Sequence, residues 1–289
     1  MTKKIMVGYD GSTPAAEAAA WAAAEAVARG ASLTIVSCYR IPMATGAYGW
    51  PATGAIEALL EAAEQSAAHM REMISMAHPG LAITTAVSAG PASSVLVEGA
   101  QPDDLVVVGA SSHEGAGAFW LGSTPRQVIR HSACPVVVVR SAASRGHPDR
   151  IVVGIDGSPA ANEALAWAVA EADLHHVELV VVHAWSYPYS PTVTSTSQAR
   201  DLMEIDAACV LDRALEFARE RASIEVSGRL IENATVSALL DTVRDGDVLV
   251  LGHRGHSSLV AGLLGSTVNA VVDRCAVPVA VVRVRDEEG

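Results

Sequence analysis

The feature that most constrains this chain is that it repeats itself at the length of a domain. Val7-Gly8-Tyr9-Asp10-Gly11-Ser12 returns as Val153-Gly154-Ile155-Asp156-Gly157-Ser158, an offset of 146 (156 − 10). Glu17, Trp21 and Glu25 return at that offset as Glu163, Trp167 and Glu171. Later segments return at an offset of 143 (265 − 122): Gly122-Ser123-Thr124 as Gly265-Ser266-Thr267, Asp104 as Asp247, and Pro135-Val136 as Pro278-Val279. The slip between the two offsets places small indels near the loops at 40–54 and 186–198. A period this long means tandem duplication of a whole domain, not a solenoid.

Each copy alternates short apolar runs with helical stretches. In the first, Lys4 to Tyr9 reads as a buried strand, and Asp10-Gly11-Ser12 as a turn. Thr13-Pro14 offers an N-cap followed by proline, and Ala15 to Arg29 a helix with a Glu25–Arg29 pair, closed by Gly30. Strands follow at 32–39, 82–87, 105–109 and 135–140, with helices at 55–77, at 93–100 and from Gly122. Runs such as Leu105–Gly109 are apolar without alternation, which points to burial on both faces. The predicted class is α/β: two tandem doubly wound modules, each a parallel sheet with helices on both sides. Module 1 is placed at 1–142, a polar linker at 143–149 and module 2 at 150–289.

Composition narrows the function. The formal net charge is −12, which argues against a nucleic-acid partner, because such binding needs basic surface to displace counterions. Residues 1–145 hold 9 Lys+Arg and 11 Asp+Glu, leaving 11 and 21 for the rest, so −10 of the charge lies in the second half. Only Lys3 and Lys4 are lysines, so no Walker-type P-loop can be built. Cys38, Cys134, Cys209 and Cys275 form no Cys-x-x-Cys pair and read as reduced thiols in a cytoplasmic protein, with Cys38 and Cys209 as small core hydrophobes. No stretch reads as a signal peptide or membrane span, so no membrane partner is expected.

One segment carries chemistry. Val250 to Asn269 runs from an apolar strand through Gly252-x-x-Gly255, nine residues, and then Gly265-Ser266-Thr267 at a helix start. Glycines let backbone N–H groups approach a phosphate, and a helix N-terminus with hydroxyls favours the same anion. Arg254 adds a phosphate partner. In a doubly wound sheet the loops after the first and fourth strands share an edge, so Asp156 faces the same crevice. An aspartate suits a ribose hydroxyl or a base amine. The alternatives are a plain βα connection for the loop and a turn aspartate for Asp156. A metal reading of His253 and His256 with His183 is outweighed by their being loop polar residues, since no carboxylate or cysteine stands at ligand spacing. The faces bearing Glu17 to Glu25 and Glu163 to Glu171 read as surface helix with one aromatic packed down.

On the Asp-Gly-Ser turn, the Gly-2x-Gly-9x-Gly-Ser loop and the Pro-Val closing strand, the whole chain resembles the universal stress proteins, as two consecutive modules. The resemblance implies five-stranded parallel sheets and, in the nucleotide-binding branch, ATP, with Mg²⁺ allowed beside it. It places Asp156 at adenine or ribose and Ala184 along the adenine pocket. Gly252, Gly255, Gly265 and Ser266 take the phosphates. In the first module the corresponding set is Asp10, Cys38, Gly109, Ser112, Gly122, Ser123 and Thr124. There Ser112 replaces the second glycine. If that position needs φ > 0, serine costs about 1 kcal/mol. Pro125 also removes one N–H from the first helical turn, where the next donors remain. The first site is expected to be weaker than the second, though present, with a degenerate site as the alternative.

The function expected is an ATP-binding stress-response regulator in which occupancy orders the loops at 41–54 and 185–198. A slow ATPase or adenylate transferase, with Glu232 and Arg254 as its candidate residues, is the alternative, and a scaffold without nucleotide the third. The resemblance also implies pairing of modules through their last strands: an internal pseudo-dimer from residues 136–140 and 279–284, and a homodimer of chains as a further option.

Overall fold

A computed structural model describes residues 2–41, 53–110, 121–140, 147–187, 197–255 and 264–284. Ser112, His256 and most of the loops at 42–54 and 186–198 lie outside the described residues. The chain divides into two units, Met1–His147 and Pro148–Gly289.

In the first unit the described elements are β1 (Lys4–Gly8), α1 (Thr13–Arg29), β2 (Ser32–Tyr39), α2 (Thr53–Ala77), β3 (Ile83–Ala89), α3 (Ala92–Gly99), β4 (Leu105–Gly109), α4 (Ser123–His131) and β5 (Val136–Val139). The strand order is β3-β2-β1-β4-β5, every pairing parallel. The second unit has β6 (Arg150–Ile155), α5 (Pro159–His175), β7 (Glu178–Trp185), α6 (Ser197–Arg219), β8 (Val226–Glu232), α7 (Thr235–Thr242), β9 (Asp247–Gly252), α8 (Ser266–Arg274) and β10 (Val279–Val282). Its order is β8-β7-β6-β9-β10, again parallel. Both are the doubly wound α/β arrangement expected from the sequence.

The apolar runs are buried as their patterning requires: all of β5 and β10, and all but the last residue of β4 and β9. In the second unit α5 packs on β6, β9 and β10, and α6 on β7 and β8, while α7 packs beside α8. Right-handed crossovers then set α5 and α6 on one face of the sheet and α7 and α8 on the other. Strand order reverses between β6 and β9, and the crevice at their carboxyl ends is where such sheets bind ligands.

Several local readings change. Ser12, not Thr13, caps α1, its hydroxyl accepting from the Ala15 N–H, and Ser158 caps α5 in the same way. Glu25 is 1% exposed rather than on a surface face; its pairing with Arg29 explains how a carboxylate is tolerated there. Glu171 is buried too, with His175 at 3.4 Å. Cys209 is exposed, not a core residue, because its helical position opposes Leu211 and Leu215, which face the sheet.

At the amino ends of the strands each unit has a matching ion pair. Lys4 Nζ lies 3.2 Å from Asp104 in the first. In the second, Arg150 donates twice to the buried Asp247, at 3.0 and 2.6 Å, and Asp247 also accepts the Arg244 N–H.

Candidate functional site

The site in the second unit is built from the β6 turn outward. Asp156 follows the last residue of β6, and its Oδ1 accepts the Ser158 N–H at 2.9 Å. This Asx turn fixes the carboxylate at the sheet edge and delivers the chain into Ser158, which caps α5. The turn reading of Asp156 therefore holds, and it leaves the residue on the wall of a cleft.

That cleft measures about 230 Å³, room for a small organic ligand when each water takes about 30 Å³. It brings together Asp156, Ala184, Gly252, Arg254, Gly255, Gly265, Ser266 and Thr267, the whole set expected in this half. Val182, Leu239 and Leu251 supply apolar wall, and Thr235 opens α7 beside it. Sequence reasoning missed these. Val182 sits two residues before Ala184 on β7 and so shares its face, and Thr235 follows β8 at the same sheet edge. Those two relations were the available signals.

The glycines do different jobs from those the spacing suggested. A Cβ at Gly252 would lie 2.6 Å from the Ala160 carbonyl, so this glycine admits the first turn of α5 against β9. Gly109 does the same against Pro14. Gly255 does not adopt a left-handed conformation; a Cβ there would press on Oδ2 of Asp156. The supposition that this position needs φ > 0 is thus corrected: what a side chain would meet here is the end of the Asp156 side chain, which would have to shift. Gly265 has only ordinary neighbours, at 3.6 Å and beyond, so its site is not sterically filled by protein.

The loop closes where the Gly265 N–H donates to the His253 carbonyl at 3.2 Å. Gly265 then begins α8 without a side-chain cap. Asn269 Nδ2 holds the Gly265 carbonyl at 3.3 Å, so the acceptor side of this corner is occupied, while the helix start has no side-chain cap among the described residues. Arg254 Nε is buried and has no hydrogen-bond partner among the described residues. A donor left in this way is costly unless a ligand accepts from it. Uncapped helix start, hydroxyls of Ser266 and Thr267, and guanidinium together are a donor set of the chemistry that suits an anion.

Other candidates lie elsewhere. His183 Nδ1 is 2.8 Å from the Ile155 carbonyl, a core contact rather than a metal site. Glu232 is not on the cleft wall; it pairs with Arg200 at the surface, which holds its carboxyl below the usual range. In the first unit, Asp10 forms the same Asx turn with the Ser12 N–H at 3.0 Å. Cys38 is half-buried near the end of β2, Gly109 ends β4, and Gly122 begins α4 with no side-chain cap, followed by Ser123 and Thr124. Arg126 occupies the position of Asn269 and donates to the Leu121 carbonyl at 3.2 Å.

Comparison with known proteins agrees with this plan. The family model of the universal stress protein family matches residues 1–140 and again residues 148–283. A universal stress protein of Mycolicibacterium smegmatis is 28% identical over 292 residues, spanning 97% of both chains. Another, from Mycobacterium tuberculosis, is 28% identical over 285 residues and spans 96% of both. The crystal structure of a universal stress protein from Archaeoglobus fulgidus shares the fold, with a TM-score of 0.72 at 20% identity over 97% of this chain and 98% of its own.

Proposed function

The chain belongs to the universal stress protein family, as two consecutive copies of its domain, and from that premise we propose that the second unit binds ATP and serves to hold it. One observation carries the reading: Arg254 Nε, buried and unpartnered among the described residues, shares a cleft with the uncapped start of α8 and with Asp156. The triphosphate takes the Arg254, Ser266 and Thr267 end. The nucleoside lies along Val182, Ala184 and Leu239, with Asp156 accepting from a ribose hydroxyl. Mg²⁺, if bound with the nucleotide, would offset phosphate charge, and Asp156, the only carboxylate on the described wall, would be the residue able to help hold it. Occupancy completes the α8 corner, and a regulatory partner reads that change. The first unit holds the same kind of ligand more weakly.

Holding is favoured over cleavage by a specific feature: Glu232, the candidate base, is engaged with Arg200 away from the cleft. The test starts with purified full-length chain, denatured, with released small molecules identified by mass spectrometry. Calorimetry with Mg-ATP follows. Bound adenine nucleotide, and an affinity about tenfold weaker in Arg254→Ala, are expected for loss of a charged hydrogen bond. No released nucleotide together with no heat on adding ATP overturns the proposal. Steady phosphate release abolished by Arg254→Ala would move the protein to the enzyme reading.

A further inference from the structure

Helix α6 presents an outward face that neither its own unit nor nucleotide binding explains. Ala207, Leu211, Leu215 and Ala218 are its buried side, against β7 and β8. Half a turn away stand Leu202, 62% exposed, Ile205, 59% exposed, and the exposed Cys209. Their spacing, i, i+3 and i+7, makes one apolar stripe. Single exposed hydrophobes are common, but a stripe of them along one helix marks a contact surface.

Charge identifies what the stripe suits. Asp201, Asp206, Asp212 and Glu216 border it, all exposed. Arg200 is occupied by Glu232, which leaves Arg213 beside the stripe and Arg219 at the end of the helix, fewer cations than the acids that border it. A second copy of this chain would set acid against acid, and an anionic membrane would be repelled likewise. A helix with apolar residues at matching spacing and a basic border satisfies both the stripe and its rim. Beside the stripe, a cavity of about 290 Å³ between α6 and α5 is lined by Leu165, Val210, Ala214 and Phe217, with Asn162 and Arg213 among its polar groups. It is a place for one anchoring side chain of the partner.

We propose that the outward face of α6 docks a basic amphipathic helix of a partner protein. The inference is independent of what the nucleotide cleft holds.

The probe is a fluorescent peptide of about 16 residues with leucines at helical i, i+3, i+4 and i+7 positions and lysines elsewhere. Its binding to the full chain is followed by anisotropy at physiological salt. A control peptide of the same composition has its leucines scattered around the helix. Cys209 sits within the stripe, so its alkylation rate reports locally even if a variant folds poorly. The amphipathic peptide is expected to slow Cys209 alkylation severalfold, and to bind at least about tenfold more tightly than either the scattered peptide to the full chain or itself to Leu202→Ser/Ile205→Ser. Equal binding of both peptides, unchanged binding to the double variant, or an unprotected Cys209 overturns the proposal. So does a concentration-dependent dimer in sedimentation that Leu202→Ser/Ile205→Ser abolishes, which would assign the stripe to a second copy.

Discussion

Gly255 lies so close to Asp156 that any side chain at position 255 would overlap the carboxylate oxygen Oδ2. The carboxylate cannot retreat freely, because Oδ1 accepts the Ser158 N–H at 2.9 Å. Gly255→Ala should therefore break that bond or shift the loop, costing about 1 kcal/mol of stability. ATP affinity should fall by about tenfold, the loss of one good polar contact. Urea denaturation of Gly255→Ala, Asp156→Ala and the double variant should show coupling of about 1 kcal/mol. Additive effects would mean that the two residues do not press on one another.

Two other glycines of the same motif should behave oppositely. Gly252→Ala forces a carbon against the Ala160 backbone and should cost about 2 to 3 kcal/mol, as overpacking does. Gly265→Ala meets nothing closer than 3.6 Å and should cost under about 1 kcal/mol, yet weaken ATP binding by intruding on the ligand. Paired denaturation and calorimetry separate the two. A larger stability loss in Gly265→Ala than in Gly252→Ala would reverse the assignment.

The glycine motif also shows where sequence reading reached its limit. Its spacing was legible, and so were Asp156, the helix start at Ser266 and the alternation that gives the fold. The reasons for the glycines were not, because contact with Ala160 or Asp156 joins segments nearly a hundred residues apart, visible only once β6 and β9 are neighbours. Leu239 was invisible for the same reason, whereas Thr235 was legible only as the residue opening the helix after β8. Glu25 was misread because a charged residue at regular spacing looks like a surface; burial followed from Arg29 one turn later, which neutralises it. Cys209 was misread because a thiol fits core and surface alike, and only its phase relative to Leu211 and Leu215 settles the matter.

Asp247 fastens the opposite edge of the second sheet. At 1% exposure, and accepting from both Arg150 and the Arg244 N–H, it should not tolerate loss of its partner. Arg150→Ala should destabilise by about 3 kcal/mol, the usual result of stranding a buried charge. Lys4→Ala should cost less, since Lys4 is 31% exposed and water can replace it at Asp104. ATP affinity of the folded Arg150→Ala protein should be unchanged within about twofold, because the pair lies at the far ends of the strands. A clear loss of affinity would show that the two edges communicate.

Cys38 offers a reading of the first unit. Burial pushes its thiol above the ordinary value, so less thiolate is present at any given neutral pH and the reactive form appears only as pH rises further. Alkylation at pH 7.5 should consume exposed Cys209 first and Cys38 more slowly, with buried Cys134 and Cys275 last. Because Cys38 stands where Ala184 lines the second cleft, saturating ATP should slow Cys38 further if the first site fills. Protection of Cys38 at lower ATP than the second site requires would invert the proposed ranking.

Helices α1 and α5 carry their own serine caps, whereas α8 starts on a bare glycine. On the function proposed above, a bound anion completes α8, and at a hundred times its dissociation constant it would add about 2.7 kcal/mol to the unit. Such a protein would have a lifetime tied to its surroundings. When the anion grew scarce, the corner would open more often, proteases would find it sooner, and the amount of the protein would fall before its shape had to change.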